Sequence, residues 1–164
     1  MAERHIGVAL DFSASSNYAL KWGLGNLVRD GDTLYLIMVN KDADLEETKL
    51  QLWGSYGSPL IPFVELKDPN TLKNYGLQSS EEVVRLVEES LNEKKIKVFG
   101  KVYYGDAREK LCDAILELSM DALVMGSRGL GGLKRVFLGS VSNYVVNNAP
   151  CPITVVKLPE SSLS

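Results

Sequence analysis

The chain has 164 residues, 45% of them hydrophobic, and a formal net charge of −3; this suits one soluble domain that buries about two thirds of its unfolded surface. No apolar run approaches the roughly 18 residues of a membrane span, and the acidic balance argues against a nucleic-acid groove. The start of the chain runs straight into strand-like sequence without a secretory signal. We therefore expect a cytoplasmic protein, with the nucleus also open to it, that has no nucleic-acid partner and no membrane span.

The first forty residues predict a strand, a helix and a second strand. Residues 5–11 (HIGVALD) and 33–39 (TLYLIMV) are short and largely apolar, as strands buried on both faces are. Ser13 and Ser15 are candidates for the helix cap between them. The apolar residues at helical spacing in that helix are Leu20, Leu24, Leu27 and Val28.

Residues 40–78 interrupt this alternation. The segment contains the turn-rich stretches SPLIPF, DPN and NYG, and a loop of that length is usually functional or disordered. We expect a long inserted loop whose apolar residues fold over the domain or against a partner. Those apolar residues are Trp53, Leu60, Ile61 and Phe63.

The alternation resumes after the loop. Ser79 and Glu82 fit a capping box at the start of a second helix, and Asp106 is assigned to capping a third. The remaining predicted elements are a strand over 96–104, a strand over 122–126, a helix over 140–148 and a last strand over 153–157. The pattern predicts one domain over 1–158 with a flexible tail at 159–164, in which helices cover both faces of a five-stranded, mostly parallel sheet. We take its strand order to be 3-2-1-4-5.

The stretch GSRGLGGLKRVFLGS, residues 126–140, holds five of the chain's 14 glycines. In an open parallel sheet, ligands bind beyond the carboxyl ends of the strands, at the point where neighbouring connections diverge. Gly126 and Gly129 would let backbone N–H groups turn toward a ligand, and a helix that starts at Gly139 and Ser140 offers free amides to phosphate. The alternative is that these glycines serve only turn geometry. Neither a P-loop nor the dinucleotide glycine fingerprint occurs in the chain.

The spacing of these residues carries a family resemblance. Gly126 and Gly129 are followed, after nine intervening residues, by Gly139 and Ser140, and this resembles the nucleotide-binding signature of the universal stress protein family. The resemblance extends from IGVALDFSASS to APCPITVVK, and GSPLIP and YGDAREKL look like its single-domain plant members. It implies a Rossmann-like, adenine nucleotide alpha hydrolase-like fold that binds ATP or AMP.

The resemblance also implies roles for residues at the carboxyl ends of the strands. Asp11 would hold the ribose with Ala9 and Leu10 beside the base, and Val39 would border the adenine. On the residues themselves, Asp11 has an alternative role as a cap of the first helix or of its preceding turn.

The second half of the implied site surrounds the glycine stretch. Arg128 and Gly129 would face the phosphates, although the family often has histidine at the position of Arg128. Ser140 has an alternative role as an ordinary N-cap, and Arg128 as a solvated surface charge. Beyond these, Met125 and Gly126 would line the base and ribose, and the helix start that receives the phosphates would be Gly139, Ser140, Val141 and Ser142.

The sequence contains little that favours catalysis. The only histidine, His5, lies six residues before Asp11, roughly 20 Å away at about 3.3 Å per residue. Cys112 and Cys151 lack metal-type spacing and are expected to be buried thiols. We expect no catalytic residue and no protein metal site, and any ATP hydrolysis should be slow and dependent on Mg²⁺.

Three functions remain open at this stage. The first is an ATP- or AMP-binding protein of the stress response, acting as a nucleotide-regulated switch or chaperone-like factor. The alternatives are a slow Mg²⁺-dependent ATPase and a nucleotide-independent holdase or scaffold. A homodimer through the last strand, at Ile153 and Val155, is expected because that strand is an apolar sheet edge and because family members commonly dimerise there.

Overall fold

The computed structural model describes residues 3–41, 47–128 and 139–159. The strands are β1 (His5–Leu10), β2 (Thr33–Asn40), β3 (Ile61–Pro62), β4 (Lys97–Tyr104), β5 (Ala122–Gly126) and β6 (Ile153–Val156). The helices are α1 (Ala14–Asn26), α2 (Glu47–Trp53), α3 (Phe63–Leu66), α4 (Pro69–Asn74), α5 (Glu81–Glu93), α6 (Ala107–Glu117) and α7 (Ser140–Asn148).

The described strands form one sheet of order β3-β4-β2-β1-β5-β6. The order of the five parallel strands is the predicted one, so the predicted α/β fold class is confirmed. The expectation of only five strands was wrong, because the two-residue strand β3 pairs antiparallel with β4 through Ile61 and Gly100. Pro62 has no N–H to donate to a ladder, which keeps this edge strand short.

The described part of the inserted segment, residues 47–78, is not an irregular loop. It contains α2, β3, α3 and α4, and much of its apolar surface packs onto the domain, as expected. Leu60 is 42% exposed, whereas the buried side chains of the segment are Ile61, Phe63, Leu66 and Leu72. The sequence did not predict these short helices, because helical periodicity can be detected only over a window of about 11 residues.

Helices cover both faces of the sheet, and the sheet separates two hydrophobic core clusters. On one face, α1, α5 and the 61–74 segment pack around Leu10 and Met38. On the other face, α6 and α7 pack around Ile37 and Met125. The strands are therefore buried almost continuously, which explains why their sequences are apolar at most positions rather than alternating.

The structure confirms the predicted cap Asp106, selects Ser13 over Ser15 as the cap of α1, and contradicts the predicted cap of α5. Ser13 caps α1 by accepting from the N–H of Ser16, and Asp106 caps α6 by accepting from that of Arg108. The capping box at Ser79 and Glu82 was wrong. Ser80 is the cap of α5, and its hydroxyl accepts from the N–H of Val83 at 3.3 Å. Glu82 instead accepts from the amide of Asn17 in α1 at 3.1 Å.

This difference of one residue yields a stability prediction. Ser80→Ala is expected to lower the free energy of unfolding by about 1 kcal/mol, because it leaves the amides of the first turn of α5 without their side-chain acceptor. Ser79→Ala is the matched control and should change stability by only a few tenths of a kcal/mol. Urea denaturation of both variants tests this, and an equal or larger loss in Ser79→Ala would contradict the observed cap.

Candidate functional site

The carboxyl ends of β1, β2 and β5 meet at one point of the sheet. β1 lies between the other two strands, with Leu10 opposite Met38 of β2 and Val8 opposite Val124 of β5. Continuing both registers by the intervening residues places Asp11 level with Val39 on one side and Ser127 on the other. This is the switch point at which open parallel sheets bind ligands, so the structure brings together the predicted residues of these three strands.

Asp11 stands at the centre of this point and is half-buried. Its Oδ1 accepts from the N–H of Ser13 at 3.0 Å, and its own N–H donates to the hydroxyl of Ser16 at 3.3 Å. The cap of α1 is Ser13, so Asp11 shapes the preceding turn rather than the helix end itself. The turn holds the carboxylate in one orientation at the end of β1.

Gly126 closes β5 against the first turn of α1. A Cβ on Gly126 would lie 2.4 Å from the hydroxyl oxygen of Ser15 and 2.9 Å from its backbone carbon and oxygen. Gly126 is not among the residues with positive φ, so its role is close packing and not turn geometry. The Ser15 hydroxyl also accepts from the N–H of Arg128 at 3.4 Å. The sequence did not predict this contact, because it joins residues that are more than a hundred positions apart.

The start of α7 is tied to the same strand end. The carbonyl of Ser127 accepts from the N–H of Gly139 at 2.7 Å and from the hydroxyl of Ser142 at 3.3 Å. Gly139 is the N-cap, and Ser140 is the exposed first residue of the helix, so the alternative reading of Ser140 as the cap was wrong. A Cβ at Gly139 would lie 3.0 Å from the Ser127 oxygen, which favours glycine there.

The amides of α7 give this end of the site its electrostatic character. The first intrahelical bond runs from the N–H of Asn143 to the carbonyl of Gly139. The N–H groups of Ser140, Val141 and Ser142 are therefore outside the helix's own ladder, and they lie at the positive end of its dipole. Such a helix start binds anions.

The residues predicted to contact the base and the phosphates differ in how exposed they are. Leu10 and Met125 are each only 4% exposed, so they can offer main-chain groups and little side chain. Ala9, Val39 and Arg128 are half-buried at the strand ends. Gly129 lies outside the described residues.

The site contains no described set of catalytic or metal-binding groups. His5 lies at the opposite end of β1, where its Nδ1 is 2.8 Å from the carbonyl oxygen of Leu118. Among residues 3–41, 47–128 and 139–159 no cluster of three His, Cys, Asp or Glu side chains is placed to hold a metal ion. Cys112 and Cys151 are free and half-buried rather than fully buried, and burial raises the pKa of both thiols.

Within the described part of the chain, every helix is too short or too polar to cross a membrane.

Comparison with known proteins places the chain in a family. The model of the universal stress protein family matches residues 3–157. The chain is 33% identical over 174 residues to the universal stress protein PHOS32 of Arabidopsis thaliana, in an alignment that covers 97% of this chain and 66% of that protein. The chain therefore spans about two thirds of the length of this relative.

Solved structures of low sequence identity share the fold. The universal stress protein UspA from Lactobacillus plantarum has a TM-score of 0.61 at 20% identity, covering 95% of this chain and 99% of that one. A universal stress protein family protein from Arabidopsis thaliana with AMP bound has a TM-score of 0.53 at 18% identity, covering 96% and 94%. Together with the family match over nearly its whole length, these findings show that the chain belongs to the universal stress protein family.

Proposed function

We propose that the chain binds AMP or ATP at the carboxyl edge of its sheet as a regulatory ligand. The observation that carries this proposal is the register of β1 and β5, which continued by three residues sets Asp11 level with Ser127. The Ser127 carbonyl accepts from the N–H of Gly139 at the start of α7. The Asp11 carboxylate and the start of α7 thus lie at the same end of the sheet, the first suited to hydroxyl groups and the second to anions. AMP is the ligand of the Arabidopsis structure with the same fold, and it carries both a ribose and a phosphate.

Each part of the nucleotide has a proposed partner. Asp11 accepts from the ribose hydroxyls, while Ala9, Leu10 and Val39 border the base mainly through their main chain. Met125 and Gly126 continue that wall. The phosphates meet the positive start of α7, and the guanidinium of Arg128 suits phosphate because its planar fork donates two parallel hydrogen bonds.

The remaining phosphate contacts follow from the same proposal. The amides of the helix start, rather than its hydroxyls, carry most of the interaction, because the Ser142 hydroxyl already donates to the backbone. The group proposed to meet the phosphates is Gly129, Gly139, Ser140, Val141 and Ser142.

In the cell we propose a nucleotide-regulated switch or chaperone-like factor of the stress response, located in the cytoplasm. Hydrolysis is not part of this proposal, and Mg²⁺ would enter only as the counterion of a bound ATP. The described residues supply phosphate-binding amides at the site but no histidine base near them.

A second candidate, a nucleotide-independent holdase, is favoured by one feature of the 47–66 segment. Four large apolar side chains project into solvent there: Leu52 at 70% exposed, Tyr56 at 72%, Leu60 at 42% and Val64 at 70%. Exposed apolar side chains of this kind bind unfolded chains or partners. Aggregation assays with and without AMP distinguish the two candidates, because only a switch would change its holdase activity with the nucleotide.

The direct test is mass analysis of the nucleotide released when the purified protein is denatured, followed by calorimetric titration of the nucleotide-free protein. AMP or ATP in the released material, with binding of both on titration, is the expected result. Protein that carries no adenine nucleotide and binds neither AMP nor ATP on titration would overturn the proposal.

Ser140→Ala tests the proposed phosphate end. It removes one exposed hydroxyl and keeps the amides of α7, so it is expected to cost about 1 kcal/mol of ATP affinity. Adenosine has no phosphate and should bind as it does to the wild type. Calorimetry with both ligands measures this difference, and an equal loss for adenosine and ATP would contradict a phosphate contact at Ser140.

The edge strand β6 supports a proposal of homodimerisation. β6 is the last strand of the described sheet, and Ile153 and Val155 are only half-buried. Val155→Lys is expected to weaken the dimer without unfolding the domain, because a charge at an edge opposes pairing. Sedimentation at micromolar concentration measures this, with Leu116→Lys on exposed α6 as control. A monomeric wild type at that concentration would contradict the proposal.

A further inference from the structure

The backbone of Phe12 is unusual for its residue type. Its φ is 63°, and within the described ranges the other non-glycine residue with positive φ is Ser119. A bulky residue is rarely found in this left-handed region, and such residues persist where surrounding structure holds them. Phe12 joins β1 to α1, directly after Asp11.

The left-handed residue is what points the carboxylate. Phe12 reverses the chain so that the N–H of Ser13 returns to the Asp11 Oδ1 at 3.0 Å. The N–H of Asp11 meets the Ser16 hydroxyl, which itself donates to the carbonyl of Ser13 at 3.2 Å. If Phe12 relaxed to an extended conformation, this ring of hydrogen bonds would open and the carboxylate would lose its orientation.

The side chain of Phe12 explains how a bulky residue is kept there. It packs against the core cluster that contains Phe63 and Leu66 of α3 and Leu72 of α4, and with them it lines an apolar pocket. Those three partners are 9%, 5% and 4% exposed, so they belong to the core. They also belong to the 61–74 segment, which is an insertion into the simple alternation of strands and helices.

We propose that Phe12 is a positioning residue that couples the 61–74 segment to the Asp11 carboxylate and so sets the affinity for AMP. This rests on the proposed function. Glycine adopts positive φ at no steric cost, whereas phenylalanine has a side chain that opposes it. Packing of the ring is therefore what keeps Phe12 in this backbone conformation. Packing of the 61–74 segment fixes the Phe12 ring, and the fixed ring keeps the backbone of the turn. The turn in its place orients the Asp11 carboxylate. The 61–74 segment thereby influences the nucleotide site through the Phe12 ring and the turn at Asp11.

The test is a double-mutant cycle read out by AMP titration. Phe12→Ala removes the ring but keeps the steric cost of a positive φ, so Phe12→Ala and Phe63→Ala are each expected to weaken AMP binding about tenfold, equivalent to about 1.4 kcal/mol. The double variant should be little weaker than either single variant, because both changes release the same turn. In an Asp11→Ala background, Phe63→Ala should no longer change the affinity. A purely structural role of Phe63 would not depend on Asp11.

Two control variants separate positioning from general destabilisation. Phe12→Leu keeps an apolar anchor and should retain near wild-type affinity. Val87→Ala opens a cavity in the same core at a fully buried residue of α5 and should lower stability without changing AMP affinity. All titrations are done well below the unfolding midpoints, and Phe63→Leu replaces Phe63→Ala if the latter does not fold.

Failure of the proposed coupling can be distinguished from failure of the proposed function. A wild type that binds no adenine nucleotide would overturn both proposals. A wild type that binds AMP, together with wild-type affinity in Phe12→Ala or additive losses in the cycle, would overturn the coupling alone.

Discussion

Asp11→Ala is expected to weaken AMP binding about tenfold to hundredfold. Hydrogen bonds to a charged group contribute about 1.5 to 3 kcal/mol, and each 1.4 kcal/mol corresponds to about tenfold in the dissociation constant. The carboxylate is held at the end of β1 by the N–H of Ser13, so it is oriented before the ligand arrives and little entropy is lost on binding. Calorimetric titration with AMP measures the loss.

Two further variants show whether the carboxylate itself is responsible. Asp11→Asn keeps the shape and one acceptor, and should lose less affinity than Asp11→Ala. Asp106→Ala is the matched control, because Asp106 also accepts from the N–H two residues on, at 2.9 Å, but caps α6. It should lower stability and leave AMP binding unchanged. Wild-type AMP affinity in a folded Asp11→Ala variant, judged by circular dichroism, would reduce Asp11 to a residue that shapes the turn.

Gly126→Val is expected to lower the free energy of unfolding by about 3 kcal/mol, the upper range for overpacking. A Cβ there would lie 2.9 Å from the backbone carbon and oxygen of Ser15, and backbone inside a packed helix cannot move aside cheaply. Binding of AMP should fall as well, because the carboxyl end of β5 would be displaced from α1. Urea denaturation and calorimetry measure the two effects.

Gly25→Ala is the control for this substitution. Gly25 is in the same helix that Gly126 packs against, and no atom lies within 4 Å of where its Cβ would be, so alanine should stabilise the protein by up to about 1 kcal/mol. Adding Ser15→Ala to Gly126→Val should restore only part of the stability, since the backbone contacts remain. Full wild-type stability of Gly126→Val would show that the glycine does not serve packing.

The Gly126 contact also shows a cause that sequence reasoning did not identify. A glycine in a glycine-rich stretch suggests a turn or a ligand, and both explanations are local. The structure adds a third reason, the approach of α1, which begins more than a hundred residues earlier at Ala14. Such a contact has no pattern along the chain, because it depends on how far two elements approach each other in the folded state.

Local chemistry was predicted well where it depends on neighbours in sequence. Asp106 was identified as a cap, and Ser13 was one of two candidates with Ser15, because a short side-chain oxygen accepts from an N–H two or three residues on. The choice between Ser79 and Ser80 could not be made in this way, since either hydroxyl suits a cap. The packing of α5 on the sheet decides where its first turn begins, and this placed the cap at Ser80.

The sequence by itself determined the strand and helix alternation, the parallel character of the sheet and the family, because apolar runs, helical spacing and the glycine-serine signature are properties of short stretches. Tertiary structure alone decided three features: the pairing of Ile61 with β4, the approach of Ser15 to Gly126, and the left-handed backbone of Phe12. Each depends on free energy gained between residues far apart in the chain. Burial of the Phe12 ring can offset the free-energy cost of its positive φ. The sequence around Phe12 gives no sign of the distant residues that bury the ring.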